Sequence, residues 1–246
     1  MKPTFMRRWI PAIAYLFGFL CTPVIASPYS DLKLQIKAEK ENLVLGEPLL
    51  IESSIINLSD EAVNFSMGGP PEFFISKDGL SFSYYRDSEV APIYKPTFVE
   101  LKPGEIKNLG KSTVLYYVSQ VQKKVVFDVP GEYFVKAKYY VTPSNLKDYI
   151  TLESDRIKIK VIEPSGIDKK IWDMICHNIE FVKFIHHGYA SKQSEDEVIK
   201  TLKQIIEKYP ASTYTPYIKE ALIKYYRTKP DKTPEEKEYL KTLQKD

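Results

Sequence analysis

Three histidines are the chain's only imidazoles, and His177, His186 and His187 all fall in one segment with apolar residues at helical spacing. A metal centre needs ligands converging from one side. On a helix, His186 and His187 point about 100° apart and His177 lies more than two turns from them. The sequence therefore assembles no metal site and implies no cofactor. These histidines read as polar helix surface and as a helix end where cationic side chains meet the C-terminal dipole. Cys176, between Ile175 and His177, reads as a small buried hydrophobe rather than a reactive thiol. Glu195-Asp196-Glu197 sits at a helix start, where negative charge is favoured in any case. There is no Gly-x-Ser-x-Gly elbow, phosphate loop, dinucleotide fingerprint or zinc-protease helix. No catalytic residue is expected, and the chain reads as non-enzymatic.

The tyrosines offer a different chemistry. Tyr84-Tyr85, Tyr116-Tyr117 and Tyr139-Tyr140 are doublets in strand-like runs, and neighbours on a strand face opposite ways. One of each pair belongs to the core and the other faces out. Outward rings at Tyr84, Tyr117 and Tyr140 are candidates to line a peptide or sugar site, with cross-strand packing as the competing use. Gly68-Gly69-Pro70-Pro71 is excluded from any ladder interior by two glycines and two prolines. Its Gly68, Gly69 and Pro70 join the candidate contact residues.

Positioning these groups requires two kinds of element. From Asp31 to Ile162 the period is two: Leu32, Leu34, Ile36 and Ala38 alternate with lysines and Gln35. Leu49–Ile56 is apolar on both faces, and Lys77-Asp78-Gly79 joins Glu72–Ser76 to Leu80–Arg86 as a hairpin. Pro130-Gly131 launches Tyr133, Val135, Ala137, Tyr139 and Val141 on one face, and Ile157, Ile159 and Val161 mark the last strand. Eight or nine strands are expected. At Glu163–Gly166 the period changes to about 3.6. One helix is expected from a Ser165/Asp168 capping pair to Gly188, a second from Ser194, a third from Thr215-Pro216 and a short fourth from Thr233-Pro234.

At the N-terminus, Lys2, Arg7 and Arg8 precede the apolar run Trp9–Leu20, and Val24-Ile25-Ala26 places small residues at a cleavage position. Residues 1–26 read as an export signal cut after Ala26, with Pro11 and the short run arguing against a membrane span. Leu20 stands where lipoprotein signals carry a small residue, which argues against lipid attachment at Cys21. Removing the signal takes three cations and no acid, so the net charge falls from +3 to neutral. That excludes the basic surplus of a nucleic-acid binder, and the remaining Cys176 cannot form an internal disulfide.

Gly46-Glu47-Pro48, Asn57 with Ser59, Pro103-Gly104-Glu105 and Pro130-Gly131-Glu132-Tyr133 give residues 27–164 a resemblance to bacterial secreted immunoglobulin-like or fibronectin-like β-sandwiches. Tyr133 resembles the tyrosine corner of those folds. Residues 165–246, through Tyr209-Pro210-Ala211-Ser212-Thr213-Tyr214 with Ala221 and Tyr225, resemble a tetratricopeptide-type antiparallel helical array. The expected fold is thus mainly β plus α: an antiparallel immunoglobulin-like sandwich with a small C-terminal helical domain. The resemblance implies an exported, periplasmic or extracellular protein. Its expected work is binding or scaffolding through contacts with a protein partner in the cell envelope, or with a glycan. A sandwich-type proteinase inhibitor, with Gly68–Pro71 as the suspect loop, and a carbohydrate-binding accessory module of a hydrolase system are the alternatives.

Overall fold

The computed structural model describes residues 28–87, 94–118, 123–144 and 148–245. The expected export signal and Cys21 lie outside the described residues. Among these residues, the strands are β1 (Leu32–Ala38), β2 (Asn42–Val44), β3 (Leu49–Asn57), β4 (Val63–Met67), β5 (Glu72–Ser76), β6 (Ser83–Tyr84), β7 (Thr97–Leu101), β8 (Ile106–Val114), β9 (Tyr116–Val118), β10 (Lys123–Val125), β11 (Gly131–Pro143), β12 (Ile150–Glu153) and β13 (Ile157–Ile162). The helices are α1 (Gly166–Ile175), α2 (Ile179–His187), α3 (Glu195–Lys208), α4 (Thr215–Thr228) and α5 (Pro234–Leu243).

β11 is the spine of the larger sheet. Its alternation places Tyr133, Val135, Ala137, Tyr139 and Val141 in the core at 2% exposure or less, where each large apolar side chain contributes about 1.5–3 kcal/mol. Both of its edges change partner along the way. On one side β13 pairs with Gly131–Val135 and β12 with Lys138–Val141. Ser154 bridges the changeover, bonding Ala137 through backbone N–H and side-chain oxygen. On the other side β5 pairs with Phe134–Lys138 and β4 with Val141–Pro143, so the β4–β5 connection, Gly68–Pro71, spans the gap beside Tyr139 and Tyr140. The second sheet, β1-β3-β8, faces this one, and Leu32, Leu34, Leu49, Ile51 and Ile55 from it share one core with Phe65, Phe73, Tyr133 and Ile159.

Two expectations need correction. More strand segments are present among the described residues than the eight or nine expected, because short stretches outside the expected runs, Asn42–Val44 and Ile150–Glu153, also pair, with β13 and β11. The pairing is also not purely antiparallel: β2 runs parallel to β13, with Leu43 opposite Val161, since the chain between β1 and β3 swings across to the far edge of the larger sheet.

The expected first helix is two. Asn178 adopts an extended backbone and its side chain accepts from the Glu180 N–H at 3.0 Å, capping α2 and leaving Cys176 and His177 in the break. Ser165 makes no side-chain cap. Asp168, its expected partner, instead reaches the α3–α4 turn, accepting from Ser212 Oγ, Thr213 Oγ1 and Thr213 N at 2.7, 2.7 and 3.0 Å. Burial works against ionising Asp168, but the Thr213 and Ser212 bonds outweigh it and hold the carboxyl below its usual range. Thr233 caps α5 ahead of Pro234 as expected, and Glu236 completes a capping box with it.

Helices and sheets are joined by a built interface. Leu115, Tyr116 and Val118 of the β8–β9 region lie in the helical core with Ile171, Phe184 and Ile218. Tyr214 donates to the Leu45 carbonyl at 2.5 Å. Glu47, 2% exposed, accepts from Lys40, the Val44 N–H and the Tyr217 hydroxyl at 2.6, 2.9 and 2.7 Å. No helix among the described residues is long and apolar enough to cross a membrane.

Candidate functional site

The Gly68–Pro71 loop, the chain leaving β6, and the end of α2 enclose a cleft of about 480 Å³. Its walls include Glu72, Tyr84, Tyr85, Arg86, Asp87, Tyr94, Tyr140, His186, His187 and Lys224. The sequence candidates Gly68, Gly69, Pro70, Tyr84 and Tyr140 are therefore brought together. Tyr117 is not: it lies half-buried in an adjoining cleft of about 310 Å³ with Lys124 and Tyr133, which shares Tyr84 and Tyr85 with the first. The reason is pairing, because the β9–β10 ladder sets Tyr117 opposite Lys124, away from the loop.

The strand doublets divide as their spacing requires. Tyr85, Tyr116 and Tyr139 are buried, while Tyr84 is 46% exposed and Tyr117 and Tyr140 are half-buried. Tyr140 donates to Glu72 at 2.9 Å and meets the Tyr149 ring edge-on at 5.2 Å. Burial, then the Glu72 carboxylate, push its phenol up to about 12. Tyr94, 47% exposed, packs over Gly69, whose φ of +72° admits little but glycine.

The cleft's floor was not legible as a site. Beyond β6, Tyr85 donates to the Tyr116 carbonyl at 3.0 Å and the Val118 N–H bonds the Arg86 carbonyl at 2.8 Å. This fixes Asp87 beside the last turn of α2. There Asp87 Oδ2 stands 3.3 Å from His186 Nε2, and the Asp87 carbonyl oxygen 3.0 Å from His187 Nε2. Two imidazoles expected to diverge thus meet one aspartate about a hundred residues earlier in the chain. Tyr116 braces them, its ring 5.7 Å from His187 and 6.4 Å from His186, and Tyr189 stacks on His187 at 5.2 Å. His186 Nδ1 is buried with no partner among the described residues. The hydrogen bond from His186 holds the Asp87 carboxyl below its usual range. Burial, helped by His186, lowers His187 to about 4, so its imidazole is neutral at neutral pH. His177 is exposed and lies apart from this group. Arg86 and Lys224 add cationic donors to the rim.

No family model matches the chain, and no curated protein does. Among solved structures, the chain has similarity to a β-glucosidase from Erythrobacter marinus (16% identity, TM-score 0.27), over 53% of this chain and 15% of that one. It also has similarity to a CARDB domain from Pyrococcus furiosus in complex with di-metal ions (18%, TM-score 0.27), over 54% and 88%. A third is the C-terminal domain of Wzt (11%, TM-score 0.31), over 55% and 75%. The chain thus spans only about a sixth of the length of the glucosidases it matches.

Proposed function

We propose that the protein is an exported, non-enzymatic binding protein of the bacterial envelope that docks a segment of a protein partner in the cleft where sheets and helices meet. The observation that carries this reading is the convergence of Tyr84, Tyr94, Tyr140 and the Gly68–Pro71 loop on one concave surface rimmed by Arg86 and Lys224. Aromatic rings supply contact area at low entropic cost, and the few polar groups among them fix orientation. Export is supported by the basic, apolar and small-residue order of residues 1–26.

The immunoglobulin-like reading of residues 27–164 is supported by two facing sheets around one core and by Tyr133, whose hydroxyl bonds the Val129 carbonyl at 2.7 Å in the manner of a tyrosine corner. The tetratricopeptide-like reading of residues 165–246 is supported by α3 and α4, which pack together across the Tyr209–Tyr214 turn. The Gly68–Pro71 loop serves as a cleft wall held under Tyr94, which favours binding over its use as an inhibitor's loop.

A photo-crosslinking residue at position 94, used in envelope extract, tests the reading. A discrete adduct absent when the probe is at Leu58, exposed and outside the cleft, supports it. Equal labelling from both positions, or glycan-array binding with no protein adduct, overturns the protein-partner reading.

A further inference from the structure

We propose that Asp87, His186 and His187 form a binding site for one divalent transition-metal ion of the zinc class. One oxygen of Asp87 and one ring nitrogen from each histidine all lie within 4.8 Å of one another. An ion bonded to nitrogen and oxygen at about 2.0–2.1 Å in tetrahedral geometry holds its donors about 3.3–3.4 Å apart. The His186 Nε2 to Asp87 Oδ2 separation is 3.3 Å, which matches that spacing and is long for a charge-assisted hydrogen bond. Asp87 has the more room to adjust around an ion, its side chain being 49% exposed against 3% for His186.

The donor set is two imidazoles and one carboxylate, a combination suited to zinc, iron(II) or nickel rather than to calcium or magnesium, which take oxygen ligands. The rings are also held in place before any ion arrives, with Tyr116 at the edge of His187 and Tyr189 stacked on it, so little ordering is required on binding. All three ligands line the cleft, so a fourth coordination position opens into it. Arg86 and Lys224 on the same walls select an anionic group, such as a carboxylate, for that position.

The site is separable from the partner reading, since metal affinity is measured with no partner present. Untagged protein stripped with chelator is titrated with Zn2+ in competition with an indicator, and with Co2+ followed by visible absorption. The expected result is one ion per chain with Kd of about 1 µM or tighter and the intense visible bands of four-coordinate Co2+. Asp87→Asn and His187→Ala each weaken binding at least about tenfold, and His177→Gln leaves it unchanged. Circular dichroism on each variant separates ligand loss from unfolding, and Asp87→Asn, at a half-exposed side chain, keeps the fold. Absence of saturable binding below about 100 µM, or stoichiometric binding that survives both Asp87→Asn and His187→Ala, overturns the proposal.

Discussion

The backbone of Gly46 abuts the six-membered ring of Trp172 so closely that a Cβ at position 46 would overlap the ring. The sheet-side turn and helix α1 touch through this contact, and Trp172 in turn stacks on Tyr214 at 6.4 Å.

Gly46→Ala is therefore expected to destabilise the fold by about 2–5 kcal/mol, from displacing a packed indole and from an alanine at φ +83°. Urea unfolding followed by tryptophan fluorescence measures it. A loss under 1 kcal/mol would mean that α1 moves aside freely.

Glu47 joins three segments through one carboxylate. Glu47→Ala is expected to cost about 2–4 kcal/mol, mostly because the Val44 N–H and the Tyr217 hydroxyl lose their acceptor. Lys40, with its side chain about half exposed, returns to water at little cost. Tyr217→Phe alone should cost about 1 kcal/mol. In the double variant the two losses should fall short of adding, as a double-mutant cycle would reveal.

Alkaline pH should unfold the protein. Burial first, and then a neighbouring glutamate, joined at Tyr239 by the Tyr226 phenol, raise the phenols of Tyr140, Tyr217, Tyr225 and Tyr239 to about 12, against about 10 in an unfolded chain. Each phenol holds its proton more tightly when folded, so unfolding releases protons in this range. The stabilisation is complete below pH 10 and is lost as pH rises from 10 to 12. Denaturant midpoints across that window, with Tyr217→Phe flattening the slope, provide the check.

Gly69→Ala tests the cleft. A Cβ there would come 2.9 Å from Tyr94 Cδ2 on a left-handed backbone, so the ring is pushed from its place. A stability loss of about 1–2 kcal/mol is expected, with crosslinking from position 94 reduced several-fold. Unchanged crosslinking would show that the ring's placement does not matter to the partner.

Period and turn chemistry carried the strand and helix classes a long way. Tyr133 to Val141 alternate as written in the chain, and the Asp78 side chain, accepting from the Leu80 and Ser81 N–H groups at 2.8 Å, builds the expected hairpin. What stayed hidden was long-range. Asn178 breaks a helix that apolar spacing runs straight through, and its only local signal is an Asn two residues before Glu180. Asp168 was read as a local cap because its real partners, Ser212 and Thr213, are more than forty residues away. The Asp87–His186–His187 group was invisible for the same reason: helical spacing separates the histidine Cβ atoms, but two long rings at a helix end can still lean toward one acceptor. The tyrosine doublets were readable as in-and-out pairs, yet only sheet topology could separate Tyr117 from Tyr84 and Tyr140.

The stretch Leu43–Glu47 has a consequence for how the molecule forms. It pairs in parallel with β13, and its Leu45 and Glu47 bond tyrosines 169 and 170 residues further on. Contacts of such sequence separation carry a large loop-closure cost and slow folding. An early segment of the chain thus waits for one of the latest. While the chain is incomplete, the Leu45 carbonyl lacks its Tyr214 donor and Glu47 lacks its Tyr217 donor, so the polar groups of this stretch are among the last to be fixed.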